Sequence, residues 1–253
     1  MKTRFFQALF ASAITASALF AISTQAASAE EKDYTIEEKM VTVAPDNQPK
    51  QSGTVKTYVS GNKMRKDSLG SESMIYRADK DVVWIVRREQ REYLEIPYAQ
   101  IRAMTEQSLQ VYAPPTPGNE EVPKNLYEKT GERQTIGYWP CEVIRLNTRQ
   151  ILGPGVTSRT TMCVSTATGL EAEDLVRTLR ISLGNRISTR VNELLDRILK
   201  LEGYPVETKT VTDVQGKTAQ TTMTLQSVKV APIDGSVFEI PEGFKLIQAP
   251  TTR

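Results

Sequence analysis

The sequence predicts a mixed α+β protein in which antiparallel strands enclose helices, and three observations carry that expectation. From Gly53 to Pro97, short runs rich in Val, Ile, Tyr and Thr are punctuated by Ser60-Gly61-Asn62, Leu69-Gly70-Ser71, Asp79-Lys80-Asp81 and Arg87 to Arg91, the regular spacing of a meander. An apolar stripe at Leu175, Leu179, Leu183, Ile187, Val191, Leu195, Ile198 and Leu199 then keeps a helical rhythm. Strand-like runs return between Val206 and Leu246.

The chain of 253 residues opens with Lys2 and Arg4 and an apolar run from Phe5 to about Phe20, followed by the small residues Ala27-Ser28-Ala29. This pattern is that of a secretory signal peptide over residues 1–29, cut after Ala29. The apolar run falls short of the roughly 20 residues that a membrane span needs. No second stretch is long enough, so the mature chain is expected to be exported to the periplasm and not to span the membrane. The leader takes two basic and no acidic residues with it, so a balance of 32 basic against 30 acidic side chains becomes neutral. A neutral chain lacks the cationic excess that drives nucleic-acid binding, and no such partner is expected.

Residues 30–52 are polar, carry Pro45 and Pro49 and show no sustained period, and are read as a loose N-terminal segment ahead of a domain over 53–253. In the meander, Val82, Trp84 and Val86 share one strand face and Val83 and Ile85 the other, so that strand should be covered on both sides. Tyr98, Ile101, Met104 and Thr105 suggest a short helix before the loop Ala113-Pro114-Pro115-Thr116-Pro117-Gly118, within a loop over 112–130. Strands are expected at Thr135 to Leu146 and Thr157 to Ser165, joined through a turn near Leu152-Gly153. Thr168 and Glu171 have capping-box spacing for a helix running from about Leu170 to Leu201, where Gly203 and Pro205 stop it. Gly184-Asn185 is the place where it would bend or split. Its other side, with Arg177, Arg180, Arg186, Arg190, Arg197, Glu193 and Asp196, reads as a solvated face with local ion pairs. Strands follow at Thr208 to Val214, Gln220 to Val230 and Phe238 to Pro241, with a Gln215-Gly216 turn.

The chain contains no histidine, which removes Ser-His and Cys-His nucleophile systems, imidazole proton shuttles and His-ligated metals. Cys141 and Cys163 are the only cysteines, and in an exported chain an even count favours a disulfide. Their midpoint falls at the Leu152-Gly153 turn, so a hairpin would bring them together, and closing that loop is worth roughly 3 kcal/mol. Ser60 to Lys63 with Lys129-Thr130-Gly131 looks like fragments of the S-x-x-K and K-T-G elements of penicillin-recognising enzymes. The serine sits in a turn and the S-D-N element is missing, so turn chemistry is the better account. Glu120-Glu121 and Glu171 with Glu173 have no apolar pocket to separate their pKa values. With no phosphate loop, calcium loop or zinc spacing, no enzyme, metal or cofactor is expected.

Several segments together resemble the LolA-like superfamily of periplasmic lipoprotein carriers, and most closely its DUF4412 branch. They are Tyr58 to Asp67, the hairpin Met74 to Arg77 through Val82 to Ile85 to Tyr93 to Ile96, Thr130-Gly131-Glu132 leading to Ile136 to Cys141, Thr168-Gly169-Leu170, Gly203-Tyr204-Pro205, and Val237 to Phe244. The resemblance covers about residues 53–246. It implies a LolA-like domain, a strongly curved antiparallel half-barrel with helices on its concave side and an apolar cavity between them. The proline-rich loop, the disulfide and the uninterrupted long helix depart from the lipoprotein carrier itself.

The expected function is therefore that of an exported binding protein holding a lipid, an acylated protein or another hydrophobic ligand, with Met64, Trp84, Leu94, Ile101, Met104 and Met223 lining the cavity. The alternative is a non-catalytic envelope interaction or sensor module, with the cavity filled by its own side chains and another envelope protein as partner.

Overall fold

The computed structural model describes residues 32–43, 51–68, 70, 72–103, 127–146, 156–184, 187, 189–214 and 217–247. The leader with its cut at Ala29, Met104, the proline-rich loop and the turns at 151–155 and 215–216 lie outside them.

The meander forms as its punctuation predicts: β2 (Gln51–Ser60), β3 (Lys63–Asp67), β4 (Glu72–Arg77), β5 (Val82–Arg87) and β6 (Glu92–Pro97) pair in sequence, each antiparallel to the next. A second set comprises β7 (Tyr127–Ile136), β8 (Trp139–Leu146), β9 (Val156–Ser165), β10 (Tyr204–Val214) and β11 (Lys217–Val230). With β1 (Tyr34–Val43) and β12 (Lys245–Ile247) they make one sheet in the order β12-β6-β5-β4-β3-β2-β1-β11-β10-β9-β8-β7. Among the described residues only β12 pairs parallel, with β6. The end strands β12 and β7 do not pair with each other, so among the described residues the sheet is open, an α+β half-barrel bearing its helices on one face.

Three expectations about the strands change. The segment read as a loose lead-in, residues 30–52, contains β1, which joins the two strand sets by pairing with β2 on one side and β11 on the other. Its charged centre, Glu37-Glu38-Lys39, hides the strand period, and pairing on both edges supplies what the local pattern lacks. The run Thr135 to Leu146 is a hairpin, with Gly137 at φ 61° in the turn and β7 reaching back to Tyr127 in the expected loop. Phe238 to Pro241 is not a strand. Gly235–Phe238 form a 3-10 turn, capped by the Asp234 carboxylate, which accepts the Ser236 N–H at 2.8 Å.

The long helix is two helices, α1 (Ala172–Leu183) and α2 (Thr189–Ile198). The N-cap lies three residues later than expected: the Glu171 N–H donates to the Asp174 carboxylate at 3.0 Å, while Thr168 Oγ1 accepts the Leu170 N–H in a local turn. Gly184 ends α1 with φ 79°, and a Cβ there would lie 2.5 Å from the Tyr98 ring. Tyr98 belongs to the helical turn at 98–103, and its hydroxyl donates to the Ile181 carbonyl, so the break is where one segment seats the end of another.

The Cys141–Cys163 disulfide forms between β8 and β9, with the Cα atoms 5.3 Å apart. The ladder sets Cys163 opposite Val143, so the two cysteines are diagonal rather than facing neighbours. Thiol titration of the unreduced, denatured chain should find no free thiol. Replacing both cysteines by alanine should lower stability by roughly 3 kcal/mol in urea titration. Gly184→Ala should cost about 2 kcal/mol or more, because the new methyl meets the Tyr98 ring and the backbone is left-handed there. Gly→Ala at the exposed Gly235, where nothing lies near an added Cβ, should cost far less in the same titration.

Candidate functional site

The helix-bearing face is organised by Tyr34 at the start of β1. Its hydroxyl donates to the Asp174 carbonyl at 2.8 Å and lies 2.8 Å from Thr178 Oγ1, which pins α1 across the sheet. Arg177 stacks 4.8 Å from the ring centroid and donates to the Lys32 carbonyl at 2.6 Å, while Lys32 Nζ pairs with the Asp174 carboxylate at 2.9 Å. Burial pushes the Tyr34 phenol pKa up, with Thr178 and Arg177 opposing. Around it Ile36, Val59, Leu170, Ile181 and Leu225 form one packed cluster. Directly beneath α1 the trough is therefore filled by the protein's own side chains.

The expected lining residues divide accordingly. Met64 is 2 % exposed inside that cluster and acts as core. Register carries its face through Tyr76 to Val83, and the next row on the same face runs Lys66, Met74, Ile85, Leu94, so Leu94 shares it. Ile101 packs there too, beside Val83 and Tyr98. Trp84 does not. It follows Val83 in the strand and so faces the other way, against Phe238, Ile75 and Val86, with its indole N–H donating to Glu95 at 2.9 Å. The sequence shows two apolar faces on β5, and only the C-terminal segment crossing the sheet decides which one Trp84 occupies. Arg77 secures that segment by donating to the Phe238 carbonyl at 3.2 Å and pairing with Glu239. Met104 lies outside the described residues.

Met223, an expected lining residue, sits on the helix-bearing face in a row whose other methionines sequence reading missed. Register aligns Ile144, Met162, Thr208, Met223 and Met40 in one row across five strands, β8, β9, β10, β11 and β1. The three methionines are half-buried, unlike the cluster under α1. Met162 packs towards Leu175 and Ile198 of the helices, which places the row on their side. From Met162 to Met40 is three strand spacings, about 14 Å. Beyond it runs a second row, Leu146, Thr160, Thr210, Thr221 and Thr42, in which Thr160 and Thr210 lie 3.1 Å apart through their hydroxyls. Met40 escaped notice because its strand did. Met162 and Met223 only become neighbours through strands far apart in sequence.

On the other side of the methionine row is Glu38, opposite Leu225 and Val55, both 2 % exposed. Part of Glu38 is open to solvent, yet the surrounding protein is dense enough that burial pushes its pKa up, with only the Lys66 charge opposing. Tyr204 of β10 and Tyr34 of its own strand are the other titratable groups nearby, and burial raises the pKa of both. Elsewhere on the molecule carboxylates are held low: Asp79 by Arg77, and Glu37 by Lys56.

A second concavity, of about 270 Å³, lies over the disulfide between Arg133, Gln134, Pro140, Glu142, Thr166 and Glu202. Its lining mixes charged and polar side chains with Pro140, Cys141 and Val164, and Lys129 pairs with Glu202 at 3.1 Å and Glu142 at 3.7 Å. Among the described residues no group of three His, Cys, Asp or Glu side chains could hold a metal ion, and no helix is long and apolar enough to cross a membrane.

An acid whose folded pKa exceeds its unfolded value destabilises the fold while ionised, and the penalty fades as pH falls through the folded pKa. Glu38→Gln should therefore be more stable than the parent chain at pH 7. Thermal melts of the pair across pH should show that advantage shrinking on acidification and gone near the unfolded pKa of about 4.3. A constant difference would show that the carboxyl titrates normally.

Three solved structures similar to this chain are a LolA superfamily protein from Nitrosomonas europaea, a DUF1329 family protein from Desulfovibrio piger and a putative outer membrane lipoprotein-sorting protein domain from Vibrio parahaemolyticus. The first is 9 % identical, covers 82 % of this chain and 90 % of its own, and has a TM-score of 0.29. The second has the same identity and coverages with a TM-score of 0.32. The third is 8 % identical, covers 82 % and 89 %, and has a TM-score of 0.31. No curated protein matches the sequence. The pattern of the DUF4412 family, a domain of unknown function, matches residues 35–244, taking in β1 and ending at Phe244 after the C-terminal turn, and the chain belongs to that family.

Proposed function

We propose that this chain is an exported, non-catalytic binding protein that holds a hydrophobic ligand, a lipid or the acyl group of a modified protein, on the methionine row of its helix-bearing face. The observation that carries the reading is the half-buried alignment of Met162, Met223 and Met40 beside a packed cluster that leaves no such freedom under α1. Methionine is unbranched and polarizable and adapts to flexible apolar guests. An extended chain laid across β9 to β1 would bury hydrocarbon against the row at about 25 cal/mol per Å². Leu94 and Ile101 border the same face further along. The disulfide supports export to an oxidising compartment such as the periplasm, as does the leader pattern of residues 1–29.

Native mass spectrometry of the gently purified mature chain should reveal a co-purifying lipid, and a neutral alkyl-chain fluorophore should bind it. Met223→Glu places a charge in the row and should weaken that binding by about tenfold or more while leaving the circular dichroism spectrum intact. A clean apo mass with no fluorophore uptake would overturn the reading.

The filled trough under α1 favours a second reading, an envelope interaction module that contacts another protein and carries no ligand. Cross-linking in intact cells separates the two, since that reading requires a specific protein adduct and no extractable lipid.

A further inference from the structure

Glu38 stands between Ile36 and Met40 on the helix-bearing face of β1. Its register partners Leu225 and Val55 are both core residues, and the bulge at Glu37/Glu38 on the β1–β11 ladder falls at this point. Among the described residues its carboxylate has no hydrogen bond and no ion pair, in contrast to Glu37 next to it, which pairs with Lys56 at 2.8 Å. A carboxylate set in apolar surroundings without a partner is unfavourable unless something else supplies a donor. Glu38 is two residues from Met40, about 7 Å along the strand, at the end of the methionine row. Lys66, the cation nearest in effect, sits in the row of Ile36 and Thr57, one row beyond Glu38 as seen from Met40.

Resting on the ligand reading above, we infer that Glu38 selects the head group: the site takes a single-chain amphiphile whose neutral or cationic head donates hydrogen bonds, and turns away anionic heads. The hydrocarbon lies along Met40, Met223 and Met162, and the hydroxyl, amide or ammonium at its end reaches the Glu38 carboxylate. A fatty carboxylate in the same pose brings two negative charges together in surroundings that screen them poorly. Burial raises the pKa of Glu38, and a donor from the ligand would reverse that penalty by stabilising the ionised form. The threonine row on the far side of the methionines offers hydroxyls only, so it has no charge with which to discriminate.

The test is calorimetric titration of the mature chain at pH 7 with three amphiphiles of equal chain length below their micelle concentrations: dodecylammonium, dodecanol and dodecanoate. The ammonium and the alcohol should bind at least about tenfold more tightly than the carboxylate. Glu38→Gln should narrow that gap to about threefold or less, by weakening the ammonium and strengthening the carboxylate, and Lys66→Met should leave the order unchanged. Equal binding of all three by the parent chain, or an order that Glu38→Gln does not move, would overturn head-group selection. Failure of all three to bind would overturn the ligand reading itself. Should the glutamine variant not fold, acidification decides: lowering pH towards 4 should tighten dodecanol relative to dodecylammonium, and an unchanged ratio would count against Glu38.

Discussion

The hold of α1 on the first strand of the sheet governs this structure. Tyr34 places an aromatic ring and a hydroxyl where a helix must cross, and the Asp174 carbonyl, Thr178 and Arg177 answer each of its chemical features. Asp174 serves three ends at once: its carboxylate closes the helix N-terminus at Glu171, it pairs with Lys32 ahead of the strand, and its carbonyl receives the tyrosine. A buried carboxylate so surrounded is stable only while all its partners are present. That couples the position of the helix to the position of β1, which in turn joins the two halves of the sheet.

From this docking follows the division of the helix-bearing face. Where α1 lies, Met64, Val59, Ile36 and Ile181 are packed as tightly as any core. Gly184 then turns the chain, because Tyr98 occupies the space a side chain would need, and α2 starts afresh. The strands on the β9 to β1 side keep half-buried methionines that the cluster under α1 does not take in. The opposite face needs no helix, since the C-terminal segment crosses it with Phe238 inserted beside Trp84 and is secured by Arg77.

This arrangement explains why a trough can be partly filled and still offer a surface. A uniformly packed interior leaves nothing for a ligand, and an entirely open one would expose too much apolar area to remain monomeric. Here rigid packing fixes the frame and a strip of adaptable side chains borders it, with Glu38, which has no hydrogen bond or ion pair among the described residues, at the strip's end. The contrast with Glu37, one residue away and facing solvent with its lysine, shows how sharply the alternation of a strand separates a solvated acid from one that lacks a partner.

Local pattern was enough to announce the meander from β2 to β6, the pairing of Cys141 with Cys163, the amphipathic stripe of the helices and the mixed α+β class, because turns, periodicity and cysteine count act over short stretches of chain. The same local reading could not see β1, whose charged middle masks its period; it marked Gly184-Asn185 as the place of a bend or a split, but that the helix ends there depends on a ring from residue 98. It placed Trp84 and Met64 together, although alternation and the crossing of Phe238 set them on opposite faces. The candidate site was the least legible feature. Met40, Met162 and Met223 come from strands separated by up to most of the chain, and only the long-range ladder of the sheet brings them into one row beside Glu38.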